Sequence, residues 1–96
     1  MSYEYIMRSN EVVNVLYEEI NYVMKNVLMY EVLFRNDQAV GHKMPWVENS
    51  WGTDIEVFTS EKSVGLNIII GNIIEIQRAI EKKLCSSGIC FTIEEI

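Results

Sequence analysis

The sequence predicts one α+β domain over residues 1–96: a mostly antiparallel sheet of four to five strands with two helices packed on it. Three observations carry this expectation. Apolar residues between Asn10 and Asn26, and again after Asn72, recur at three- and four-residue steps. Several shorter stretches alternate with a period of two. The chain has 96 residues, 49% of them apolar, which is enough for one folded domain and too few for two. A domain of this size buries roughly 60–65% of its surface, so dimer formation or a tight partner would matter to its stability. The expected order is β-α-β-β-β-α-β, a sandwich with helix crossovers of the ferredoxin-like kind.

Ser2–Arg8 reads as a strand with Tyr3, Tyr5 and Met7 on one face. The same residues also extend the following helical register backward. Ser9-Asn10 is a good place to start a helix, which favours the strand. From Asn10 to Asn26 the residues Val12, Val13, Leu16, Tyr17, Ile20, Val23 and Met24 form one broad apolar face. Ser9 or Asn10 is the expected cap, with Glu11 and Lys25 placed at the dipole ends that favour them.

Val27–Arg35 alternates Leu28, Tyr30, Val32 and Phe34 against Val27, Met29 and Leu33. Apolar residues on both sides predict a central strand, buried on both faces. Asp54–Ser60 and Val64–Ile70 predict a hairpin across Glu61-Lys62-Ser63, with Val64, Leu66, Ile68 and Ile70 pointing one way. Asn72, with Glu75 three residues later, opens the second helix in the manner of a capping box. Its buried stripe is Ile73, Ile76, Ile80 and Leu84, supported by Ala79; Lys82 and Lys83 sit near its negative end and Gly88 stops it. Ile89–Glu95 closes the sheet, with Ile89, Phe91 and Ile93 facing the core.

Asn36–Thr53 remains as a long connection, and long connections often carry function. It holds the single proline (Pro45), the single histidine (His42) and both tryptophans, Trp46 and Trp51. No basic residue falls between Lys43 and Lys62, whereas Glu48, Asp54, Glu56 and Glu61 do. Indole rings supply large contact areas and are enriched among interface hot spots, where truncation costs about 2 kcal/mol or more. Neighbouring carboxylates would steer a basic partner toward them. The competing structural reading is that Trp46 and Trp51 fold back over an open sheet edge or an end of the core.

The charge balance narrows the classes of partner. Fourteen acidic residues against eight basic ones leave a net charge of −6. Phosphate backbones and anionic lipid surfaces repel such a chain, so neither nucleic acid nor a membrane is an expected partner, whereas a basic protein is. Met1–Asn10 lacks the pattern of a secretory signal, and no apolar run approaches the roughly 20 residues of a membrane helix, so the cytoplasm is the expected compartment.

Recognisable chemistry is sparse. Cys85 and Cys90 flank Ser86-Ser87-Gly88 without a CxxC or Cys/His metal spacing, and are expected to be reduced packing residues. His42, between Gly41 and Lys43, is expected at the surface with no nucleophile in a recognisable context. Glu18-Glu19 and Glu94-Glu95 are adjacent pairs whose side chains diverge. Gly71-Asn72 follows a strand, but GxGxxG and GxxxxGK[ST] are absent. No catalytic residue, metal or cofactor is expected.

In general character, as a short, acidic, mixed α/β chain without catalytic residues, the protein resembles the immunity proteins that bacteria make against their own toxic nucleases. The resemblance is one of type and rests on no motif. It implies a non-enzymatic inhibitor whose acidic surface, with Trp46, Trp51, Glu48, Asp54, Glu56 and His42 as partner-binding residues, covers a basic toxin domain. A phage-encoded inhibitor of a host protein fits the same description. Two other classes stay open: a homodimeric structural or regulatory subunit pairing through a strand edge or sheet face, and a small-molecule-binding or enzymatic domain.

Overall fold

The computed structural model describes residues 3–44, 53–69 and 71–96. In chain order the elements are β1 (Tyr3–Ser9), α1 (Val13–Tyr22) continuing into a π-helical turn (Val23–Val27), β2 (Glu31–Arg35), β3 (Ala39–Lys43), β4 (Ile55–Thr59), β5 (Val64–Ile68), α2 (Ile73–Ser86) and β6 (Phe91–Glu95). The six strands among the described residues form one antiparallel sheet in the order β2-β3-β4-β5-β1-β6. Strands β2 to β5 are a meander. Helix α2 then carries the chain from β5 past β1 to β6, so that β1 lies between them as in a split βαβ unit. The α+β architecture is as expected, with one strand more.

Both helices pack on one face of this sheet, and the core lies between the two layers. Alternation along the strands turns Tyr5 and Met7 of β1, Val40 of β3, Ile55 and Val57 of β4, and Val64, Leu66 and Ile68 of β5 toward the helices, all buried. The helices answer with Leu16, Tyr17 and Ile20 from α1, Val23 and Met24 from the π turn, and Ile76, Ile80 and Leu84 from α2. Each such aliphatic side chain contributes about 1.5–3 kcal/mol when removed from water, so this single seam dominates the stability. The helices are tied across their tops by Lys83, which lies 3.3 Å from Glu19 and 4.8 Å from the centre of the Tyr22 ring.

Local signals hold where they are purely local. The side chain of Asn72 caps α2 by accepting from the Glu75 backbone N–H at 3.1 Å. Gly88, with φ +74°, ends the helix in the left-handed region. The β4–β5 hairpin closes across Ser60 and Ser63, whose backbones pair at 2.9 Å. Its inward residues are those read from the sequence; Ile70, read with them, lies outside the described residues, as does Ser2 at the start of β1.

Four expectations are corrected. The apolar run that suggested a central strand from Val27 is divided: Val27 closes the π turn, Met29 turns the chain with φ 61°, and β2 begins only at Glu31. That strand is an edge, largely exposed, with an extra residue at Leu33 that shifts the register between Val32 and Phe34. The long connection after Asn36 contains β3, reached by a tight turn in which the Asn36 carboxamide accepts from the backbones of Gln38 and Ala39 at 2.8 and 2.9 Å. Helix α1 starts at Val13 behind Val12, without a side-chain cap; Ser9 instead accepts from the Glu11 N–H at 3.1 Å. Cys85 and Cys90 are free as expected but exposed, so they do not pack the core. No helix among the described residues is long and apolar enough to cross a membrane.

Candidate partner-binding face

Because α1 and α2 occupy one side of the sheet, the residues that alternate outward form its other side. Cross-strand pairing arranges them in two rows. One runs Ala39, Phe58, Gly65, Ile6 and Glu94; the other runs Phe34, Gly41, Glu56, Asn67 and Glu4. The first row is mainly apolar and the second carries carboxylates at its middle and end. A further outward pair, Glu31 opposite Lys43, lies at the β2–β3 end.

Glycine and phenylalanine shape this surface together. A β-carbon placed on Gly65 would overlap the Phe58 ring, and one on Gly41 would overlap the Phe34 ring and the Thr53 methyl. Each ring therefore lies down across the glycine of its neighbouring strand instead of standing off the sheet. Phe58 is half-buried by this and Phe34 remains 41% exposed. Ile6, half-buried beside Gly65, continues the apolar band.

Charge frames that band. Glu4 and Glu94 are exposed and Glu56 is half-buried. Arg8 reaches Glu94 at 4.0 Å, with both side chains more than half exposed, a pairing worth little in high dielectric. Asn67, between Glu56 and Glu4, buries a carboxamide oxygen that has no hydrogen-bond partner among the described residues.

The residues expected to meet a partner separate into three groups. Glu56 lies on the open face, in the row between Gly41 and Asn67. Trp46, Glu48 and Trp51 lie outside the described residues. His42 and Asp54 are fully buried, which corrects the expectation of surface positions for them. Alternation along β3 turns His42 inward between Val32 and Ile55, and its Nε2 lies 2.9 Å from the Asn21 carboxamide oxygen on α1. Nε2 is then the protonated nitrogen, and the bare Nδ1 has no hydrogen-bond partner among the described residues. Burial, aided by the positive Arg35, pulls the His42 pKa down to about 4, so the ring is neutral near pH 7. The Asp54 carboxylate accepts from the Met44 N–H at 2.9 Å, holding the end of β3 against the start of β4.

Phe34, Phe58, Ile6 and Glu4 were not singled out from the sequence. A signal for them existed: Gly41 and Gly65 each sit mid-strand, where a missing side chain invites an aromatic ring from the next strand. Recognising it required knowing which strands are neighbours. No family model, no curated protein and no solved structure matches the chain.

Proposed function

We propose that the protein is a non-enzymatic acidic binding protein that neutralises a basic partner protein, with the open sheet face as its contact surface. An immunity protein against a nuclease-type bacterial toxin is the role that suits these properties best. The supporting observation is the apolar band of Ile6, Phe58 and Phe34, framed by Glu4, Glu56 and Glu94 on the side of the sheet that neither helix covers. Aromatic rings already laid flat lose little rotamer freedom on docking, and rigid anchors of this kind supply most of an interface's affinity. The carboxylates, with the net charge of −6, accelerate capture of a cationic surface. The single histidine is buried and neutral, which removes the most common general base from surface chemistry.

The experiment is capture from a lysate, followed by purification of the captured protein and measurement of binding by both components. A basic partner forming a stoichiometric complex, with an association rate that falls as salt rises, supports the reading. Phe34→Ala together with Glu56→Lys should weaken that complex by at least about a hundredfold while leaving the fold intact. Unchanged affinity in that variant removes the open face as the contact surface. A complex that forms equally fast at high salt removes the electrostatic part.

A further inference from the structure

A second surface, on the helix side of the sheet, is built differently. A groove of about 460 Å³ lies between helix α2 and the edge strand β6. Its floor is apolar, formed by Ile80, Ile89, Phe91 and Ile93, and Glu81 and Cys85 stand on the helix above it. The volume falls within the range of about 300–1,000 Å³ typical of ligand clefts.

Among the described residues, no strand pairs with the outer side of β6 beside the groove. Strand β6 ends the sheet, and its pairing with β1 follows a fixed alternation. The Asn10 N–H donates to Cys90 O at 3.3 Å and the Ile96 N–H donates to Glu4 O at 2.9 Å. In that register the backbones of Thr92 and Glu94 face β1, and those of Phe91, Ile93 and Glu95 face outward. An apolar trough beside three outward-facing peptide groups is the arrangement by which a sheet edge takes up another strand.

Charge identifies the kind of strand. Glu81 lines the groove, Glu94 lies on the outer face of β6, and Glu95 stands at its end. Lys82 and Lys83 lie on the opposite flank of α2, around a separate small cavity beside Val27. We infer that the α2–β6 groove accepts an extended peptide of alternating apolar and basic residues, which adds to β6 as a seventh strand. Its apolar side chains enter the groove and its cations line the outer face beside Glu94, drawn there by the added negative field of Glu81 and Glu95. The groove lies on the helix side of the sheet, shares only Glu94 with the open face, and stands whether or not that face binds a partner.

The probe is a short blocked peptide alternating valine and lysine, added to isotope-labelled protein. Amide shifts should concentrate on Phe91, Ile93 and Glu95, and the exposed Cys85 and Cys90 thiols should become slower to react with iodoacetamide. Glu95→Pro removes an outward N–H without touching the ladder to β1, and should weaken binding about tenfold or more. Glu95→Gln, which keeps that N–H, should lose less. Amide spectra of β3 and β4 verify that the proline variant is folded. The inference is overturned if a valine–glutamate peptide binds equally well, or if the shifts fall on Phe34 and Phe58 instead. It is equally overturned if Glu95→Pro binds like the parent, or if excess unlabelled protein alone reproduces the β6 shifts, since the occupant would then be a second copy of the chain.

Discussion

At the scale of single residues, His42 gives the sharpest test. Its pKa is about 4 in the folded protein and near 6.5 when unfolded. Between those values the unfolded chain binds more protons, so stability falls as pH drops from about 6.5 to about 4 and is restored as pH rises. The full difference corresponds to about 3 kcal/mol. Urea unfolding at pH 7, 5.5 and 4 should show that decline, and replacing His42 and Asn21 together by leucine should flatten the histidine contribution. Removing Asn21 alone leaves a buried imidazole N–H without an acceptor, and Asn21→Ala should cost about 1–3 kcal/mol. A double-mutant cycle in which these two changes simply add would show that the pair does not interact.

Gly65 makes a related point about packing. Gly65→Ala forces its β-carbon into the Phe58 ring, and the ring must leave the strand it covers. Overpacking of this kind costs about 1–3 kcal/mol. The expected result is a lower denaturation midpoint in the parent background and a smaller loss in a Phe58→Ala background. An equal loss in both backgrounds would remove ring displacement as the cause.

At the scale of elements, the end of α1 stores strain that a local change can release. The Leu28 N–H reaches Val23 O at 2.9 Å and the Tyr30 N–H reaches Met24 O at 2.8 Å, a helix stop widened by the π turn. Met29 sits between these bonds with φ 61°, a conformation that costs an ordinary side chain about 1–2 kcal/mol. Its side chain is 66% exposed and gives little in return. Met29→Asn should therefore stabilise the fold by about 0.5–1 kcal/mol, since asparagine tolerates this region without glycine's entropy cost. A thermal midpoint at or below that of the parent would show that Met29 makes contacts whose loss outweighs the relief. At the start of α2, Asn72→Ala should cost about 1 kcal/mol through the lost cap.

The whole molecule explains which parts of this arrangement were legible in advance. Helix α2 was read nearly complete, because a cap, a stripe at positions 73, 76, 80 and 84, and a glycine stop are all local signals. The β4–β5 hairpin was read for the same reason. Strand β2 is not legible because Val27, Leu28 and Met29 are apolar whether they end a helix or begin a strand, and alternation does not distinguish an edge from a centre. Strand β3 was missed because Ala39, Gly41 and Lys43 carry little apolar signal; the strand exists through its pairing with β2 and β4. The polarity of its neighbours suggests a surface position for His42, whereas its direction is fixed by the register of that same strand. At this scale the prediction concerns the open face. Glu4→Lys and Glu56→Lys should each change stability by less than about 0.5 kcal/mol, yet slow capture of a basic partner in a salt-dependent way. A large stability loss would mean that these carboxylates hold the sheet together and are not available for contact.

The sequence by itself determined the α+β class, both helices, the β4–β5 hairpin and the acidic character, since periodicity, caps and net charge are properties of residues close in the chain. Only the tertiary structure decided that β2 and β6 are edges, that His42 and Asp54 are buried, and that Ile6, Phe34 and Phe58 share one surface with Glu4 and Glu56. The physical reason is that neighbourhood in a sheet is set by the pairing of strands far apart along the chain. A shift of one residue in that pairing sends every side chain to the opposite face.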